Sequence, residues 1–187
     1  MIANRFKRFL KADEGSQTIA FVVLLPLLVW SILAMLTFTD AFRIRAMATD
    51  ATAVIADSLS RQSTPIDLNE LLGLQSVAEQ LIGYDVSLRI TQVRCLSNCA
   101  DLNRRIILVD FSQGIGLDSL LNLDFAAGLS RQRVPLMAEG DRLVLVETSF
   151  MHEPIAQIGL KGREVSVSHA TRMRFAPQLC WLRCIVS

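Results

Sequence analysis

Residues 15–39, GSQTIAFVVLLPLLVWSILAMLTFT, hold no charged residue over 25 consecutive positions. A bilayer hydrocarbon core about 30 Å thick is crossed by roughly 20 apolar residues at 1.5 Å rise each. Ile19 through Phe38 supply that length, and no other segment approaches it. The chain therefore reads as one membrane-spanning helix with cargo on one side. It divides into a basic leader (1–15), the spanning helix (16–39), a helical extension (40–63) and an exported domain (64–187).

Orientation follows from the flanks. Arg5, Lys7, Arg8 and Lys11 precede the run, whereas Arg43 and Arg45 are the nearest basic residues beyond it. The excess of basic residues before the run places the N-terminus in the cytoplasm, since Lys and Arg near the ends set topology and acidic residues count for little. An ordinary cleaved signal peptide has an apolar region of only about 7–15 residues before a small-residue cleavage site. Here the run is longer and a helical pattern follows it, so an uncleaved signal anchor is the plainer alternative.

The segment DEGSQTIAFVVLLPLL resembles the N-terminal signature of TadE/TadG-like proteins, pilin-like components of tight-adherence (type IVb) pilus systems. The resemblance implies a prepilin peptidase cut between Gly15 and Ser16 on the cytoplasmic face. Phe21 falls at the family's aromatic position and Pro26 at its proline. The family's usual glutamate falls at Ala20, so the carboxylate that pairs with a neighbouring subunit's amine in pilins is replaced by a methyl group. An ionisable group inside a membrane is costly and normally marks a function. Its replacement points to an accessory subunit over a regular filament subunit. The implied setting is the bacterial inner membrane, single-pass, with the C-terminal domain periplasmic or extracellular. The implied partners are the membrane, pilus or secretion-system subunits, and the peptidase.

Composition removes some other classes. A net charge of +1 and 6% aromatic content give neither an electrostatic footprint nor a stacking platform for nucleic acid.

Beyond the run, residues 40–62 contain no Gly or Pro and carry alanines at 41, 46, 48, 51, 53 and 56. That composition favours a slim helix, suited either to helix-on-helix assembly or to packing on its own domain. Thr64 and Pro65 read as the cap and first residue of a second helix. Its apolar face runs through Leu68, Leu71, Leu72, Leu74, Val77, Ala78, Leu81 and Ile82, and Gly83 ends it.

The period then changes to two. Tyr84, Val86, Leu88 and Ile90 alternate with Asp85, Ser87, Arg89 and Thr91, the pattern of a half-buried strand. Residues 104–111 read as a second, central strand, 142–150 as a third and 164–173 as a fourth. Residues 112–140 are ambiguous between a short helix and an ordered loop. The expected fold is α+β: a long N-terminal transmembrane helix, a second helix, and a small antiparallel sheet of about four strands with helices on one face.

Cys95 and Cys99 form one close pair in sequence, Cys180 and Cys184 another. Structural disulfides fit an exported, oxidising location; the spacing also admits a four-thiolate zinc site or redox chemistry. A helical 180–184 segment would hold its Cβ atoms about 5–6 Å apart, wider than a bridge prefers. That geometry, with the greater entropy of closing a long loop, favours bridges from the tail to the 95–99 loop, with two local bridges, Cys95–Cys99 and Cys180–Cys184, as the alternative. His152 and His169 belong to no recognisable metal or nucleophile motif, and Gly114-Ile115-Gly116 is too short for a phosphate loop. The chain is expected to act by assembly without a cofactor or metal, not by chemistry.

Overall fold

A computed structural model describes residues 16–122, 130–156 and 159–184. Among the described residues seven elements follow one another: α1 (Ser16–Ser60), α2 (Leu68–Ile82), β1 (Ser87–Ser97), β2 (Ile106–Ile115), α3 (Ser130–Arg133), β3 (Arg142–His152) and β4 (Arg163–Arg172). The fold is α+β, with the four strands in one antiparallel sheet ordered β2-β1-β3-β4. Two compact units divide the chain: Met1–Ala41 with Pro154–Lys161, and Phe42–Glu153 with Gly162–Ser187.

Within the larger unit, alternation along the strands sorts the core into two faces. Leu88, Ile90, Val144, Val146 and Phe150 line one face, and Ile44, Ala48, Ala51, Ile55, Ala56 and Leu59 of α1 pack on it with Leu71, Ala78 and Ile82 of α2. The small residues at 48, 51 and 56 let the α1 backbone lie close to the sheet, so the alanine-rich stretch packs on its own domain. Burial along α2 is narrower than its apolar pattern: Leu68, Leu72, Val77 and Leu81 remain exposed.

Between α1 and β3, Thr52 and Thr148 are buried and their hydroxyls lie 2.7 Å apart. Thr52 Oγ1 also donates to the Ala48 carbonyl at 2.6 Å, so Thr148 is the donor within the pair. An isosteric Thr52→Val leaves the Thr148 donor buried without its acceptor, at an expected cost of about 1–3 kcal/mol. Adding Thr148→Val should recover most of that loss, as a double-mutant cycle by urea unfolding of the full chain would show.

The helix and the sheet depart from the sequence expectation at three points. First, α2 begins at Leu68 with Asp67 as its cap, not Thr64: the Asp67 carboxylate accepts from the Glu70 amide at 2.9 Å. Thr64 and Pro65 stay outside the helix because Ile66 is held in an extended bridge. Its N–H donates to the Cys180 carbonyl, and its C=O accepts from Leu182, both at 2.9 Å. The helix ends as expected at Gly83, in the left-handed region at φ 81°.

Second, the strand read as central, β2, lies at the sheet's edge, and β1 and β3 are central. Third, β1 is covered on both faces. Thr91 and Val93 are as buried as Leu88 and Ile90, because Val134 and Met137 pack with Val93, Leu143 and Leu145 on the second face. Buried Arg105 ties this cover down by donating to the Val134 and Pro135 carbonyls at 2.8 and 2.9 Å. The ambiguous connection before β3 is thus a second layer, with residues 123–129 outside the described part. At its start Gly116 has φ +75°, and a Cβ there would lie 2.4 Å from Ser87 Oγ, so the turn out of β2 is built for glycine.

Candidate functional site

The apolar run forms the first part of α1, and the helix continues unbroken through Pro26. A soluble helix would lose about 3 kcal/mol at an interior proline, whereas membrane helices re-satisfy the freed carbonyl more readily. From Ile19 to Leu36 every large apolar side chain in the run is exposed. A surface of this size is untenable in water but ordinary against lipid tails. Polar side chains within the run bond to their own helix, Ser31 to the Leu28 carbonyl and Thr37 to the Leu33 carbonyl, both at 2.8 Å. The helix is long and apolar enough to cross a membrane once, and with the folded domain this is consistent with a membrane-anchored protein.

Gly15, one half of the candidate processing site, lies outside the described residues; Ser16 is the first residue of α1. Ala20 and Phe21 both lie on exposed helix.

All four cysteines are oxidised, but the pairing differs from the tail-to-loop expectation. Cys95 bonds Cys99 and Cys180 bonds Cys184, with Cα separations of 6.0 and 4.9 Å. The physical reason is the sheet itself. Cys95 and Cys99 are buried with Val93 and Met137 on the second face. The tail carrying Cys180 packs on the first face, where the Leu179 amide donates to Gln92 Oε1 at 2.6 Å. A cross-bridge would have to pass through the sheet.

Nor is the 180–184 segment helical. Leu182 takes the left-handed conformation at φ 58° and Asn98 does the same at φ 57° in the other loop, so each is a tight turn. Asparagine tolerates that region; leucine rarely does. Leu182 is held there by its bond to Ile66 and by the cystine that spans it.

Trypsin without reductant should therefore release residues 95–104 as one internally bridged peptide, and residues 175–183 linked to 184–187. A linked 95–104 and 175–183 pair would reverse the assignment. Loss of the Cys180–Cys184 bridge should cost about 2 kcal/mol, the loop-closure value for so short a ring, read as a lower urea midpoint.

Two polar clusters carry no signal in the sequence. On the first face Asp110 accepts from Gln92 Nε2 at 3.0 Å and from Arg142 Nε at 2.9 Å, and pairs with Arg94 at 3.6 Å. Both Asp110 and Phe111 meet this face because the β1–β2 register slips between Gln92 and Val93. Phe111 stacks on Trp181 with centroids 6.4 Å apart. These side chains and Gln178 border a cavity of about 260 Å³ beside the tail. The carboxylate is already shared among its three partners, so the cluster pins the bulge and the tail to the sheet.

On the second face Glu147 pairs with both Arg89 and Arg133. His152 is buried beside Tyr84, whose hydroxyl lies 3.1 Å from its Nδ1; His169 sits in β4 opposite Val146. Among the described residues no group of three or more His, Cys, Asp or Glu could hold a metal ion.

No protein-family model matches the chain, and no curated protein or solved structure matches it either.

Proposed function

We propose that this chain is a membrane-anchored, pilin-like accessory subunit for assembly of a tight-adherence type IVb pilus or a related secretion apparatus. The observation that carries the reading is the join of two features: the Gly15-Ser16 boundary ahead of Phe21 and Pro26, and one helix that is lipid-like first and domain-packed later. In this reading the apolar half of α1 stays in the inner membrane or the base of the filament. The C-terminal domain, stapled by its two cystines, is presented outside to other subunits. Ala20 removes the intramembrane carboxylate, so the subunit acts by assembly at a junction, not as a repeating filament unit.

Processing is the test. In cells with a prepilin peptidase, the mature chain should begin at Ser16 by mass spectrometry, and deleting the peptidase should restore residues 1–15. An intact leader in peptidase-positive cells would overturn processing.

Ala20 also favours a second reading, an unprocessed single-pass binding protein of the bacterial envelope unrelated to filaments. Crosslinking in the source cell separates the two: pilus or secretion subunits among the products support the first, and their absence with a full-length N-terminus supports the second.

A further inference from the structure

The connection between β3 and β4 reads Pro154-Ile-Ala-Gln-Ile-Gly-Leu-Lys161, with no charge between Glu153 and Lys161. Such a composition is unusual for a hairpin loop expected in water, where Gly, Asn, Asp and Ser dominate.

Within the smaller unit, Pro154–Lys161 packs with the helix up to Ala41. There Thr37 is fully buried, and Ala34, Asp40 and Ala41 are half-buried, a stripe at helical spacing on an otherwise exposed run. On the loop, Pro154, Ala156 and Leu160 are half-buried while Ile155 is 68% exposed. Thr37 to Ala41 is also where the uncharged run ends, at Asp40. The loop is thus level with the membrane boundary. Among the described loop residues Pro154, Ala156 and Leu160 are partly covered, and Ile155 stands out as an exposed large apolar side chain.

From this we infer that the β3–β4 loop is a second membrane contact, with Ile155 entering the lipid bilayer at the headgroup–acyl boundary beside α1. The occupant is lipid because the loop is continuous with the lipid-facing surface of the run. Apolar side chains are favoured at that depth in proportion to the area they bury. Glu153 and Lys161, which bracket the loop, stay on the aqueous side. The domain is then tethered at two points, its helix and its hairpin tip. The inference rests on the membrane anchor alone and does not depend on the pilus reading.

The test places benzoylphenylalanine at single positions in the full-length chain, reconstituted in phosphatidylcholine vesicles and irradiated. Leu36 in the run serves as the lipid-exposed control. Leu102, 54% exposed on the β1–β2 connection, is the aqueous control. Ile155→benzoylphenylalanine should give lipid adducts by mass spectrometry at a yield comparable with position 36, while position 102 stays at background. A yield at 155 no higher than at 102, or adducts to protein in place of lipid, would overturn the inference.

Discussion

Glu147→Ala should destabilise the folded chain by about 3–5 kcal/mol, the cost of leaving a buried charge without its partner. Glu147 is 2% exposed on the central strand β3. Its Oε2 accepts from Arg89 Nε and Nη2 at 2.8 and 2.6 Å, and its Oε1 accepts from Arg133 Nη1 at 3.0 Å. Arg89 is only 14% exposed, and its remaining Nη1 donates to the Asp118 carbonyl at 2.8 Å. Losing Glu147 leaves its guanidinium largely buried with the Asp118 carbonyl in place of a carboxylate.

Arg133 is more exposed and can turn outward, so Arg89 carries most of the penalty. The asymmetry makes the prediction specific. Arg89→Leu with Glu147→Leu removes both buried charges and should recover most of the stability, since an apolar pair often equals or exceeds a buried ion pair. Arg133→Ala alone should cost under about 1 kcal/mol, as for a partly exposed pair. Urea unfolding of the full chain in detergent measures all three. Equal losses for the single and the paired replacement would show that the charge network is not what holds this layer.

Ile55→Ala should cost about 2–5 kcal/mol, the range for removing a buried aliphatic side chain and leaving a cavity. Ile55 is 1% exposed where α1 crosses the first face of the sheet. Its neighbours Ala51 and Ala56 cannot swing in to fill the space. The helix cannot settle inward easily either, because the Thr52–Thr148 and Ser60–Arg174 hydrogen bonds fix its position on both sides of residue 55. Val54→Ala, adjacent but exposed, is the internal control and should fall within about 0.5 kcal/mol of wild type. A small loss at Ile55 would mean that α1 is not seated on the sheet as described.

Much of the fold is legible in local chemistry. The uncharged run is long enough for a bilayer whatever follows it. The change of period after Gly83 marks helix giving way to strand, and glycine ends α2 because only glycine takes the left-handed turn without penalty. The four strands were legible, the first and fourth by alternation and the second as an apolar run, although β1 continues to Ser97, well past its alternating stretch.

What was not legible depends on partners far away in the chain. Residues 106–109, Ile-Ile-Leu-Val, are apolar enough for a central strand, yet β2 sits at the edge because β3, not β2's other side, supplied the next pairing. Thr91 looked solvent-facing by alternation alone, yet it is fully buried, its hydroxyl 2.9 Å from that of Ser112. Thr64 followed by Pro65 also offers a capping sequence, but a backbone already committed to the tail at Ile66 cannot start a helix there.

The cysteines divide the two kinds of knowledge cleanly. Four thiols in a domain expected outside the cytoplasm made disulfides the favoured expectation over a zinc site, and the structure shows them paired. Their pairing was decided by the sheet, which puts Cys95 on one face and Cys180 on the other, and by the left-handed turn at Leu182 that no propensity favours. The sequence by itself determined an anchor of membrane length and an α+β domain behind it, since both follow from hydrophobic length and period. The tertiary structure decided strand order, the two buried faces, the Glu147 charge pair and the loop beside the anchor. Those depend on which residues meet across long separations, and hydrophobic period does not encode that.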